Sequence, residues 1–133
     1  MNVYTTTCPC GSSQPYEGCC GPFLAGIDSV QSAEQLMRSR YTAFTRANEA
    51  YLLATWHAST RPVSLTLNQP ADLRWLGLKI VRTELGLSKD EHGTVEFVAR
   101  YRIAGKGFRQ HEVSRFIKEH GRWYYVDGEL LKH

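Results

Sequence analysis

No lysine or arginine occurs before Arg38, no cysteine after Cys20, and no apolar run approaches the roughly 20 residues that a membrane-spanning helix requires. Each absence excludes something. Met1 to Thr7 carry neither a basic stretch nor an apolar core, which argues against a secretory signal and sets a cytoplasmic location as the expectation. Thiols in that compartment stay reduced. The formal charge of +3 is too small to argue for nucleic acid, the arginines are scattered, and no RNA-recognition motif is present. With 42% hydrophobic and 22% charged residues over 133 positions, extended disorder and collagen-like repeats are excluded, and one domain with a small appendage is expected.

What is present divides the chain in two. Residues 1–37 hold Glu17, Asp28 and Glu34 and no base, a formal −3, whereas the remainder has 16 bases and 10 acids and carries +6. All four cysteines fall between positions 8 and 20. Residues 1–30 are rich in turn formers (Pro9, Gly11, Pro15, Gly18, Gly21, Pro22, Gly26) and too poor in periodic apolar positions to build a core, so they need a staple.

Regular structure is predicted from Ser32, which with Gln35 reads as a capping box. Leu36, Met37, Tyr41, Phe44 and Ala47 recur at helical spacing through about Ala47. Asn48 is placed to cap a second helix from Glu49 to Trp56, and Pro70 to open a short third one. From Trp75 the period changes to two. Val95, Phe97, Ala99, Tyr101 and Ile103 alternate with Glu96, Val98, Arg100 and Arg102, and turn signals at 90–93, 105–107 and 119–121 separate runs at 76–88, 94–104, 108–118 and 122–128. Short connections imply an antiparallel meander. The fold class is therefore α+β, with N-terminal helices packed on one face of a curved antiparallel sheet.

The cysteines have the spacing C-x-C-x8-C-C: Cys8, Cys10, Cys19 and Cys20. Four thiols match a closed tetrahedral zinc site, with Pro9 and Gly11 turning the first pair and Gly18 and Gly21 freeing the second. The alternatives are a disulfide pair, free thiols or a catalytic thiol. Reducing surroundings disfavour the first, and the last lacks a histidine nearby in sequence to serve as base. One Zn²⁺ with four thiolates adds −2, bringing residues 1–37 to about −5.

The segment from Cys8 to Gly21, C-P-C-G-S-x4-E-x-C-C-G, resembles the SEC-C motif, a short zinc-binding module found at the C-terminus of the SecA translocation ATPase, where it helps to bind the SecB chaperone. The stretches Ala33 to Phe44 and Tyr51 to Pro62 look like the bacterial YchJ family, and the resemblance covers essentially the whole chain. It implies an SEC-C module over residues 1–30 joined to a cone-shaped domain of the nuclear transport factor 2-like fold over residues 31–133. Ser13-Gln14-Pro15 stands where such motifs often carry lysines, and no second cysteine motif follows before His133.

A curved sheet closed by helices leaves a pocket, and Arg38, Arg40, Tyr41, Trp56, His57 and Arg61 are candidates to line it. Tyr41 equally belongs to the apolar stripe of its helix, Trp56 reads as a packing anchor, and His57 suits a helix C-terminus. Arg38 and Arg40 cannot share one helix face, so at least one is expected in solvent. For an enzyme, His57 or Asp127 would be the base and Tyr41 or Tyr101 the donor, but no spacing demands this. The leading reading is a zinc-stapled protein-interaction module with a protein-export or translation quality-control partner. The alternative is a small-molecule-binding or lyase/isomerase-type cone with a purely structural zinc. Tyr16, Phe23 and Leu24 flank the cysteines and are the candidate interaction anchors, whether for the chain's own domain or for a partner. A homodimer through the sheet face is also compatible with the fold.

Overall fold

The computed structural model of the chain describes residues 7–67 and 71–131. Met1 to Thr6 and Pro70, on which the leader and third-helix readings partly rest, lie outside those residues. A 3-10 turn at Tyr16–Gly18 and a one-turn helix α1 at Gly21–Leu24 come first, then α2 at Ala33–Thr45 and α3 at Glu49–Ala54. Four strands follow: β1 at Arg74–Leu85, β2 at His92–Ile103, β3 at Lys106–Glu119 and β4 at Arg122–Leu130. They form one antiparallel sheet in the order β1-β2-β3-β4, the expected meander.

Local chemistry sets the helix ends. Ser32 Oγ accepts from Gln35 N at 3.1 Å and caps α2. Gln35 Oε1 accepts from Gln31 N rather than from Ser32 N, so only half of the capping box is reciprocal. Asn48 Oδ1 accepts from Tyr51 N at 3.0 Å and caps α3 as expected. That helix ends two residues short of the expected Trp56, because Trp56 joins a parallel bridge to Tyr125 and His57 N donates to Tyr125 O at 2.8 Å. His57 thus lies beyond the helix rather than closing it. Ala71 and Asp72, the first described residues after Pro70, form a turn ahead of β1.

The sheet curves because its ladders are irregular. Register shifts occur in β1 between Trp75 and Gly77 and between Ile80 and Arg82, and between β3 and β4 at Arg115/Phe116. The concave face carries Val95, Phe97, Ala99, Phe116 and Trp123, all buried, and α2 lies across it with Ala33, Leu36, Met37 and Tyr41. The alternation along β2 is less strict than its sequence suggests, since Val98 on the other face is also buried.

Helix α2 is enclosed on more than its apolar stripe. Ser39, Arg40 and Thr42 are buried along with the hydrophobic positions. Ser39 Oγ donates to Leu36 O and meets Tyr51 Oη at 2.6 Å, linking α2 to α3. Thr42 belongs to a third contact, with the cysteine segment.

Candidate metal centre

Thr7 and Pro15 form a bridge, and Cys8 N donates to Gln14 O at 2.7 Å, so residues 8–14 make a closed loop. Within it Gly11 adopts φ +84°, the left-handed conformation that a glycine tolerates, and its backbone lies so near strand β1 that a Cβ would sit 2.7 Å from Leu78 O. Cys19 follows the 3-10 turn with its N–H on Tyr16 O, and Cys20 begins α1, accepting from Leu24 N. Gly21 is required for a different reason than backbone freedom: a Cβ there would meet Tyr16 O at 2.8 Å. Residues 16–24, expected to lack regular structure, are thereby folded around the second cysteine pair.

The result brings all four predicted ligands together. The Sγ atoms of Cys8, Cys10, Cys19 and Cys20 lie within 4.8 Å of one another, and Cys8, Cys10 and Cys20 are buried. All four are free thiols. Cys10 Sγ and Cys19 Sγ are 3.6 Å apart, close to the edge of about 3.8 Å that tetrahedral Zn–S bonds of about 2.3 Å would give. The group therefore fits a four-thiolate metal site and could hold one ion. Its electrostatics agree. Hydrogen bonding from Cys20 pulls the Cys10 thiol down to about 4 against the effect of burial. Cys20 is pushed up, first by that same bond and then by burial, and Cys19 is pushed up chiefly by burial. A first thiolate holds its neighbours protonated, so ionising all four requires a cation among them.

Helix α2 supplies the surroundings. Arg38 Nη1 donates to Cys10 O at 2.7 Å and lies 3.9 Å from Cys10 Sγ, while its Nε donates to Glu34 Oε2 at 3.0 Å. Thr42 Oγ1 is 3.6 Å from Cys8 Sγ, and the Arg46 guanidinium lies 4.0 Å from the centroid of the Tyr16 ring. Positions 38, 42 and 46 form one row at four-residue spacing. The first basic residue of the chain is thus placed against the acidic, thiol-rich segment. Ser12 completes the set, with Oγ 3.1 Å from Cys19 Sγ. Leu24 and Tyr16 pack on the cysteine cluster, and Phe23 and Leu24 line a groove of about 390 Å³ shared with Tyr51, Trp123 and Tyr124.

The six candidate pocket residues separate. Arg40, Tyr41 and Trp56 border a cavity of about 240 Å³ between α2 and the sheet. Arg38 does not, being drawn to Cys10, and neither it nor Arg40 is left in solvent as expected. His57 is held outside, with Nε2 3.2 Å from Glu119 Oε1 and Nδ1 2.7 Å from Ser59 Oγ, and Arg61 is exposed. Asp127 pairs with Arg115 at the surface, and Tyr101 stacks on Phe108, so neither serves the cavity. The cavity also contains Trp75, Gln110, Glu112, Ser114 and Tyr125, which sequence reasoning missed. A signal existed: Gln110, Glu112 and Ser114 alternate on the same strand face as Phe116, a polar series where a packed core would be apolar.

A cysteine-clustered module seated on a helix-backed, curved meander defines a cysteine module joined to a nuclear transport factor 2-like domain. Residues 32–128 match the family model described as YchJ, middle NTF2-like domain. The chain is 53% identical over 125 residues to a UPF0225 protein of Bordetella pertussis, covering 92% of each, and 50% identical over 123 residues to one of Chromobacterium violaceum, covering 91% and 90%. It belongs to this YchJ/UPF0225 family. A solution structure of an SEC-C motif containing protein from Rhodopseudomonas palustris is similar, with a TM-score of 0.83 and 36% identity over 96% of this chain and all of that one. A crystal structure of an SEC-C motif containing protein from Psychrobacter arcticus has a TM-score of 0.74 and 28% identity over 99% of this chain and 87% of the other.

Proposed function

We propose that the chain is a zinc-stapled protein-interaction protein: an SEC-C-like module over residues 1–30, with Zn²⁺ on Cys8, Cys10, Cys19 and Cys20, seated on a domain over residues 31–133. The observation that carries this reading is the convergence of four thiol sulfurs in one shell that is filled by protein ligands. A closed site of that type leaves no position for a substrate, so its role is to order the segment that bears it. What it orders is a small surface beside the groove, where Phe23 and Leu24 are half-buried and Ile27 is 76% exposed. Apolar groups held at a rigid edge are the usual anchors of a protein contact. The partner is of the protein-export or translation quality-control kind, and the site of action is the cytoplasm, where the thiols remain available to the metal. Among the described residues no helix is long and apolar enough to cross a membrane.

Affinity capture from native lysate, with wild type beside a Cys19→Ser/Cys20→Ser variant and a Phe23→Ser/Leu24→Ser variant, tests the reading. One protein retained in near-equimolar amount by wild type and lost by both variants is the expected result. Identical capture by all three would contradict it.

A further inference from the structure

The cavity under α2 is separate from the cysteines and has a composition of its own. On β3, Glu112 Oε1 accepts from Gln110 Nε2 at 2.8 Å and Oε2 accepts from Ser114 Oγ at 2.9 Å. A carboxylate offers about four acceptor sites, so two remain for another donor. The neighbouring strand is cut away to admit this group: Gly128, paired with Ser114 in the ladder, has no side chain, and a Cβ there would collide with the Glu112 carboxylate. The carboxylate is thus built into the wall of the cavity.

A cation stands in the same wall. Arg40 is only 3% exposed, and its Nη1 makes both of its hydrogen bonds, to Leu52 O at 2.8 Å and Thr55 Oγ1 at 2.7 Å. Among the described residues no carboxylate comes within ion-pair distance of it, and its other guanidinium nitrogens, which have no protein acceptor, are not among the sealed polar atoms. The cation lies 4.5 Å from the centroid of Tyr125 and 5.1 Å from that of Trp56. Burial pulls its pKa down to about 10, still far above neutrality, so the charge persists. Aromatic rings make up most of the remaining lining.

Size and charge together select a ligand. A dry cavity of about 150 Å³ is known to accept benzene; one of about 240 Å³ accommodates an aromatic ring system with a short polar arm. A ligand bearing only an anion would gain from Arg40 and be opposed by Glu112, and a lone cation would meet the reverse. Only a ligand carrying both charges satisfies both walls, and its carboxylate would match the planar donor geometry of a guanidinium. We propose that this cavity binds a small aromatic zwitterion, an aromatic amino acid or close derivative, with its carboxylate on Arg40 and its ammonium on Glu112.

The test titrates the full-length, metal-loaded, 15N-labelled protein with L-tryptophan, indole-3-propionate and tryptamine. The expected result is that L-tryptophan shifts the amides of Gln110, Glu112, Ser114 and Tyr125 and binds at least about tenfold tighter than either singly charged analogue, the step that a charge-assisted hydrogen bond supplies. The nearly isosteric Glu112→Gln should weaken L-tryptophan by about tenfold while leaving indole-3-propionate as tight or tighter. Arg40→Lys should weaken both acids; should that variant fail to fold, the probe series and Glu112→Gln decide alone. Equal binding of the three probes, no shift with L-tryptophan, or a Glu112→Gln protein that treats all probes as wild type does would overturn the proposal.

Discussion

Replacing Cys10 with serine is expected to abolish metal binding and release the N-terminal segment while leaving the sheet intact. Cys10 is fully buried, its carbonyl holds Arg38, and its sulfur is 3.6 Å from that of Cys19. A serine hydroxyl does not ionise near neutrality and cannot replace a thiolate in a tetrahedral site. Structural zinc contributes an apparent 10–16 kcal/mol in small zinc peptides, so losing one ligand of four removes most of what orders a segment this poor in apolar area. The strands are joined by their own ladders and by α2, so they should persist. Metal analysis should drop from one equivalent to near zero, and amide exchange over residues 8–24 should accelerate by orders of magnitude while residues 95–99 and 114–117 stay protected. A variant retaining a full equivalent of metal would sink the ligand assignment.

Gly93→Val should produce the largest loss of stability outside the cysteine module. Gly93 is buried at the start of β2, where a Cβ would lie 2.5 Å from Gly86 Cα and 2.8 Å from Gly86 N, with Ala33 Cβ at 3.2 Å. These contacts are mostly backbone, so nothing flexible can move aside. Gly86 itself has φ +81°, donates its N–H to His92 O, and accepts from Ala33 N, so the same point joins β1, β2 and the first turn of α2. Overpacking where hairpin and helix meet should cost about 3 kcal/mol or more. Urea unfolding should show a marked fall in midpoint at unchanged slope; a midpoint within error of wild type would refute the close-packing account.

That glycine also shows where sequence reasoning stops. Asp90 to Gly93 reads as a turn, and the chain does reverse there, but Gly93 is demanded by a backbone approach that only the folded hairpin creates. The meander was legible because alternation and turn residues are local signals, and the caps at Ser32 and Asn48 were legible for the same reason. The convergence of four cysteines was legible from their clustering in the sequence. Three things were not. Arg38 could be assigned to no pocket or solvent face without knowing that a second body covers α2 on its 38-42-46 row. The folding of residues 16–24 depends on packing against the thiols, which periodicity does not encode. His57 looked like a site residue because of its chemistry, yet a bridge between Trp56 and Tyr125 turns it to the surface.

Arg38 connects these observations to function. Its guanidinium ties Glu34, on its own helix, to the backbone of a proposed metal ligand, and so joins the cysteine loop to α2. In the proposed site, four thiolates share one zinc ion. Native mass spectrometry of the reductively purified full-length protein, compared with its denatured mass, measures this directly. The expected result is a single species heavier by one zinc and lighter by the protons displaced from the thiols. A native mass equal to that of the metal-free chain with all four thiols alkylatable, or a mass lowered by disulfide formation in protein kept reduced throughout, would contradict it.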